Sequence, residues 1–276
     1  MSVSEGTLYI VATPIGNLDD ISARALEVLR SVDVIYAEDT RHSSKLLQHY
    51  GIASKTRSLH EHNEQQRIPG AVDDLQAGRT AAVIADAGTP LISDPGFRLV
   101  VACHDQQVRV SPVPGPAALV AALCVSGLAT DSFVYLGFPP AKAAARREWL
   151  AARSQENRTQ ILYESRHRIK ATLSALADTF GAERRATVAR ELTKTHETVR
   201  RDTLDNLVTW IESDTNQQKG EFVLVVEGHP ETATSDRELD RILSVLLGEL
   251  TVKQSVVIAT RLTGLPHRQV YDAALA

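Results

Sequence analysis

Short apolar runs alternate with amphipathic stretches along this chain, the pattern of strands separated by helices. The first set of runs is TLYIVA (7–12), DVIYA (33–37), AAVIA (81–85) and VRVSPV (108–113), with ISARALEVLRSV and FRLVVACHD spaced as helices between them. A second set is FVYLGF (133–138), TQILYES (159–165), ATVAREL (186–192) and EFVLVVEG (221–228), separated by helical patterns such as RREWLAARSQ and LDNLVTWIES. Between the sets, VSPVPGPAA carries three prolines in five residues, which excludes a central strand, and an apolar helix begins at Ala117. Beyond ETATSD (231–236) come three helical segments, the last two, LTVKQSVVIATRLTG and LPHRQVYDAALA, joined at Gly264 and Pro266. That spacing predicts a small helix-turn-helix-like appendage. The expected architecture is α/β: an αβα domain over 1–115, a second αβα domain over 116–232, and a helical appendage over 233–276.

Ligands bind outside the carboxyl ends of strands in open parallel sheets, so the segments that follow each run are where chemistry is expected. They are TPIGNLDD, EDTRHSSK and DAGTPLISDPG in the first half, with ESRHR and ELTKTHE expected at equivalent places in the second. No G-x-G-x-x-G follows the first strand and no G-x-x-x-x-G-K-S/T occurs, which argues against NAD and ATP loops. The loop at 86–96 has few charges, and its glycines and prolines present backbone amides on a stiff frame. A nucleoside suits such a loop better than a polyphosphate.

Composition narrows the classes further. With 276 residues, 43% of them hydrophobic, the chain is long enough to bury a large core. The amino-terminal sequence has no basic segment followed by an apolar one, and the apolar stretch from Ala117 to Ala129 is interrupted by Ser126 and Gly127, so neither a signal peptide nor a membrane span is expected. Cys103 and Cys124 lie among Val, Ala and Leu without metal-ligand spacing, which points to reduced thiols, a cytoplasmic protein and no metal. The net charge of −4 hides an uneven distribution: residues 142–201 hold 14 Lys and Arg against 7 Asp and Glu, a local +7 that leaves −11 elsewhere. Both a nucleic-acid footprint and ordinary solvated helix faces fit that excess.

The segments LYIVATPIGNLDDIS, AEDTRHSSKLL, SLHEHNE, ADAGTPLISDPG, VPGPAALVAAL, LYESRHRI and KGEFVLVVEG, in this order, resemble the tetrapyrrole-methylase superfamily of S-adenosylmethionine (AdoMet) enzymes. Within it they are similar to the family of bacterial small-subunit rRNA (cytidine-2'-O)-methyltransferases. The resemblance implies two αβα domains, a homodimer, and a folded AdoMet in the cleft between the domains. It also implies a decoding-region cytidine of 16S rRNA, free or in the 30S subunit, as the substrate. Where other superfamily members carry G-x-G-x-G after the first strand, this chain has ATPIGN, which puts Ile15 at the cofactor contact. Their GGDP loop corresponds to Ala87-Gly88-Thr89-Pro90, and their PG-x-(S/T)-A element to Pro114-Gly115-Pro116-Ala117-Ala118. The implied cofactor contacts are thus Ile15, Ala87, Gly88, Thr89, Ile92, Ala117 and Ala118, joined by Tyr163, Glu164, Arg190 and Glu221.

A sulfonium methyl is already activated, so the protein's tasks would be in-line placement, exclusion of water and removal of one ribose proton. Glu38, Asp39, His60, His62 and Glu191 are the candidate bases, and the sequence does not choose among them. Arg41, Lys45, Arg166, Arg168 and Lys194 are the candidate RNA contacts. Plainer roles stand beside each: Asp39 or Thr40 as a helix cap, His60 and His62 as a metal pair without a third ligand, Arg166 and Arg168 as solvated charges. A tetrapyrrole methyltransferase and a non-catalytic RNA-binding protein remain the alternative functions. Gly88→Val and Ala117→Leu are expected to weaken AdoMet binding with little effect on folding, and the appendage to dock RNA or to cap the core.

Overall fold

The computed structural model describes residues 6–230 and 236–275. The chain divides into two compact units, residues 1–227 and 228–276.

The first half of the larger unit runs β1 (Thr7–Val11), α1 (Ala23–Ser31), β2 (Val34–Ala37), α2 (Thr40–His49), β3 (Thr56–Ser58), α3 (Glu64–Gln76), β4 (Ala81–Ile84), α4 (Phe97–Asp105) and β5 (Arg109–Val113). The strands form a sheet in the order β3-β2-β4-β1-β5, all neighbours parallel. Pro112 lies in β5, an edge strand, where its missing N–H leaves no ladder bond unmade. Alternate strand residues supply two cores. Leu8, Tyr36 and Val83 pack with Val72 and Leu75 of α3 and Leu99 of α4, while Val11, Ile35 and Ile84 pack with Leu29 of α1 and Leu47 of α2. Helices therefore cover both faces of the sheet.

The second half runs α5 (Ala118–Ser126), β6 (Phe133–Gly137), α6 (Ala143–Ala151), β7 (Thr159–Ser165), α7 (Ile169–Phe180), β8 (Arg185–Arg190), β9 (Thr198–Thr203), α8 (Leu204–Ser213) and β10 (Glu221–Val226). Its sheet has the order β6-β7-β10-β8-β9. Only β6 and β7 are parallel; β10 runs antiparallel to β7 and β8, and β9 antiparallel to β8. The sheet is therefore mixed and not parallel throughout, but ESRHR and ELTKTHE leave the same edge, as expected, because β7 and β8 point the same way on either side of a reversed β10 whose amino end lies between their carboxyl ends. Phe222, Leu224 and Val226 face α6, α7 and α8, and Val223 and Val225 face α5.

The smaller unit holds α9 (Asp236–Glu249), α10 (Val252–Thr263) and α11 (His267–Leu275). The carboxamide oxygen of Gln254 accepts from both the N–H and the hydroxyl of Thr251 at the start of α10. Gly264 ends that helix in the left-handed region, φ +70°. Leu239, Leu243, Val256, Ala259, Leu265 and Val270 make a core of the unit's own. Ile258 and Leu262, which share the helical apolar spacing, are exposed at 36% and 67%.

Candidate functional site

Among the connections that leave the carboxyl edge of the first sheet, those after β1 and β4 are laced together. Thr13 and Gly88 exchange backbone hydrogen bonds, Thr13 N–H to Gly88 O at 2.9 Å and Gly88 N–H to Thr13 O at 3.0 Å. Gly88 has φ +81°, and a β-carbon there would sit 3.2 Å from Ile15 Cγ2. The Thr89 hydroxyl donates to Pro116 O at 2.9 Å, drawing in the segment that starts α5. Opposite stand β7, β8 and the amino end of β10. Between them lies a cavity of about 450 Å³.

Its lining includes Ile15, Ala87, Gly88, Thr89 and Ile92 from the first half, and Ala117, Ala118, Tyr163, Glu164 and Glu221 from the second. Every expected cofactor position except Arg190 is therefore brought to one place. Apolar walls at Ile15, Ala117 and Leu192, carboxylates at Glu38 and Asp86, and a glycine with left-handed backbone close against Ile15 suit a nucleoside-sized group with a charged tail. Non-glycine residues hold left-handed backbone on both sides, Leu91 and Ser93 in one loop and Glu191 and Thr193 in the other. Two further clasps bridge the halves: the Ser93 and Tyr135 hydroxyls at 2.7 Å, and Asn17 N–H donating to Thr193 Oγ1 at 3.1 Å. Burial pushes the Tyr163 phenol up to about 12, so it stays neutral as it accepts from Leu119 N–H.

The expected bases separate sharply. Glu38 lines the cavity, and its pKa is raised, first by burial and then by the Asp86 carboxylate. Asp39 caps α2, accepting from Arg41 N–H at 2.8 Å, a bond that holds its pKa below the ordinary value. Glu191 borders neither this cavity nor a second, smaller one that adjoins it. Burial acts to raise its pKa, but the Glu221 N–H and the Lys194 ammonium outweigh that and lower it. His60 and His62 line neither cavity, and Asn63 ties His60 into the turn before α3. In the same segment Glu64 is buried and accepts from Arg98 and Leu99 N–H, capping α4. Among the described residues no group of three or more His, Cys, Asp or Glu is placed to hold a metal ion.

The basic excess is mostly absorbed internally. Arg168 pairs with Glu164 at 2.9 Å and donates to Pro139 O, Arg190 donates to Lys219 O and Thr198 Oγ1, and Lys194 bridges Glu191 and Glu221. Arg158, Lys170 and Arg200 pair with Glu156, Glu212 and Asp202. Arg41 is free of the core, its side chain 93% exposed, and Arg166 is exposed beside His167.

Asp86, Ser93 and Asp94 are cavity residues that reading for uncharged amides passed over. The signal was a carboxylate at each end of the loop. Burial, then the Glu38 and Asp86 carboxylates, push the Asp94 carboxyl up to about 7. The folded protein thus keeps a proton that the unfolded chain releases near 3.8, so stability falls as pH rises between about 4 and 7. Asp94→Asn, which mimics the protonated form, is expected to melt with wild type below pH 4 and to be the more stable protein above pH 7. Solvent screening of this half-buried group limits the gain to about 1 kcal/mol. Melting curves across pH 4–8 check it, and a variant less stable at pH 8 contradicts it.

This two-sheet fold is that of a methylase: residues 7–208 match the model of the Tetrapyrrole (Corrin/Porphyrin) Methylases, and residues 233–276 that of the RsmI C-terminal HTH domain. Solved structures with the same fold include uroporphyrin-III-C-methyltransferase from Thermus thermophilus (TM-score 0.57, 19% identity, 80% of this chain and 94% of that one). Diphthine synthase is another (TM-score 0.59, 14% identity, 81% and 90%). Ribosomal RNA small subunit methyltransferase I of Pseudomonas aeruginosa is 51% identical over 99% of this chain and 98% of its own. The protein of that name from Escherichia coli O157:H7 is 47% identical over 99% and 96%. The chain belongs to the ribosomal RNA small subunit methyltransferase I family.

Proposed function

We propose that this protein uses AdoMet to methylate the ribose 2'-hydroxyl of a cytidine in the decoding region of small-subunit (16S) rRNA. The observation that carries the reading is the 51% identity, over 99% of the chain, with a relative named as a small-subunit rRNA methyltransferase. When bound, AdoMet supplies a methyl group already activated as a sulfonium. Ile15, Gly88, Thr89, Ala117 and Ala118 would hold it between the sheets and keep water out. We assign removal of the ribose proton to Glu38 in preference to Asp39, His60, His62 and Glu191. It alone of these lines the cavity, and its raised pKa makes it a stronger base than an ordinary glutamate. Arg41, Lys45 and Arg166 are proposed RNA contacts, whereas Arg168 and Lys194 meet internal partners first. The division at 115/116 and 232/233, a homodimer and a cytoplasmic location belong to the same proposal. Among the described residues no helix is long and apolar enough to cross a membrane. Mass mapping of small-subunit rRNA from cells with and without the protein tests the activity; an unchanged ribose-methylation pattern refutes it.

The appendage is proposed to dock the ribosomal substrate, with His267, Arg268 and Gln269 opening α11, where free N–H groups favour phosphate. Because each unit has its own core, deleting 235–276 is expected to leave a folded, AdoMet-binding protein that no longer methylates small subunits. Aggregation or lost AdoMet binding on deletion would assign the appendage a structural role instead.

A further inference from the structure

A second cavity, of about 280 Å³, adjoins the first and shares four wall residues with it: Ile15, Asp86, Ala87 and Glu221. It opens over the amino-terminal half of α2 and the loop after β1. We propose that this cavity seats the acceptor nucleotide of the RNA, with its ribose toward the shared wall and its phosphate toward Lys45. The inference rests on the AdoMet-dependent reading of the larger cavity.

Two independent features point to a polar, anionic occupant. Ser43 is 3% exposed and lines this cavity, yet its hydroxyl has no hydrogen-bond partner. An orphaned buried hydroxyl costs on the order of 1 kcal/mol or more unless something fills the space beside it, and a ribose or phosphate oxygen does so. Lys45 also lines the cavity, is exposed, and has no ion-pair or hydrogen-bond partner among the described residues. Lys194, in contrast, arrives already bridged to Glu191 and Glu221. The cations of the basic second half are largely spent on carboxylates and carbonyls, and this seat keeps one that is not.

Size and lining agree with a single nucleotide. Pro14, Leu18 and Leu46 give it apolar surface against which a base can lie, and Ser43 and Lys45 contribute polar groups to the same lining. A folded base pair is too large for it, so the target is taken out of its stack or is single-stranded when it enters. The shared wall then explains why Asp86 borders both cavities. Its carboxylate accepts from Asp39 N–H at 3.2 Å, so the cap of α2 and the wall between the two ligands are held as one piece.

Leu18→Trp fills the seat from its exposed rim, and Lys45→Ala removes its free charge. Both substitutions fall on partly or fully exposed residues, and unchanged melting temperatures verify folding. Each is expected to raise KM for small subunits at least tenfold while AdoMet affinity, measured by calorimetry, stays within twofold of wild type. A Leu18→Trp protein that uses subunits as wild type does overturns the proposal, as does one whose loss falls on AdoMet. Cytidine 5'-monophosphate separates this test from that of the activity. Saturation-transfer signals with wild type that vanish in Leu18→Trp support the seat even if no rRNA ribose is methylated, and their absence with wild type refutes it.

Discussion

Glu164→Ala is expected to cost about 3 kcal/mol of folding stability, and with it AdoMet binding. Glu164 borders the larger cavity, but its side chain is fully buried and its carboxylate is engaged three times. It accepts from Ser165 N–H at 2.7 Å and from the Thr172 hydroxyl at 2.6 Å, and it pairs with Arg168 at 2.9 Å. Truncation strands the guanidinium of Arg168, which is only 26% exposed, against Pro139 O and the Ser165 hydroxyl. Removing one member of a largely desolvated pair costs more than the pair contributes, because the remaining charge loses its partner while most of it stays shielded from water. Glu164→Gln keeps one oxygen to accept from Ser165 N–H and Arg168, while its NH2 must donate to the Thr172 hydroxyl where the carboxylate accepted from it, so it should recover only part of the loss. Thermal or denaturant unfolding of both variants without ligand is the measurement. A Glu164→Ala protein as stable as wild type, yet weak for AdoMet, would show the carboxylate acting on the cofactor directly.

The same residue illustrates how far the sequence is legible. Its place at the cleft followed from the end of an apolar run, because a strand buried on both faces leaves a continuous signal and ligands gather where such strands stop. Its partners did not follow. Arg168 reads identically in a string whether it faces phosphate or closes back on a carboxylate four residues earlier. The strands β3 and β9 were illegible for a related reason. Both are edge strands with no fully buried position, TRS and TVRRDT, so neither alternation nor an apolar run marks them. Direction was hidden as well: the reversal of β10 is written in its connections to α8 and not in EFVLVV itself. In α10 the spacing that placed Val256 and Ala259 in the core also selected Ile258 and Leu262, which lie on the outer side. Periodicity finds an apolar stripe more readily than its centre.

Gly88→Val and Ala117→Leu, interchangeable as probes in the sequence, are expected to part company in solution. Gly88 has φ +81°, where a β-branched residue is a severe outlier, and a β-carbon would press on Ile15 Cγ2 at 3.2 Å. The two hydrogen bonds to Thr13 prevent the loop from relaxing without unlacing it from the loop after β1. Valine should therefore cost about 2–3 kcal/mol of stability, and its loss of AdoMet binding will not report on contact alone. Ala117 differs in every respect that matters. It has extended backbone, φ −142°, at the start of α5, is only partly buried, and lines the larger cavity with no clasp depending on its side chain. Leucine there adds three carbons to the cavity and leaves the strand-loop lacing intact. Its melting temperature without ligand should stay near that of wild type while AdoMet affinity falls about tenfold to a hundredfold, equivalent to about 1.4–2.7 kcal/mol. Calorimetric titration of AdoMet into both variants, set beside their melting curves, decides it. An Ala117→Leu protein that binds AdoMet normally would mean that the cofactor lies elsewhere than between the two sheets.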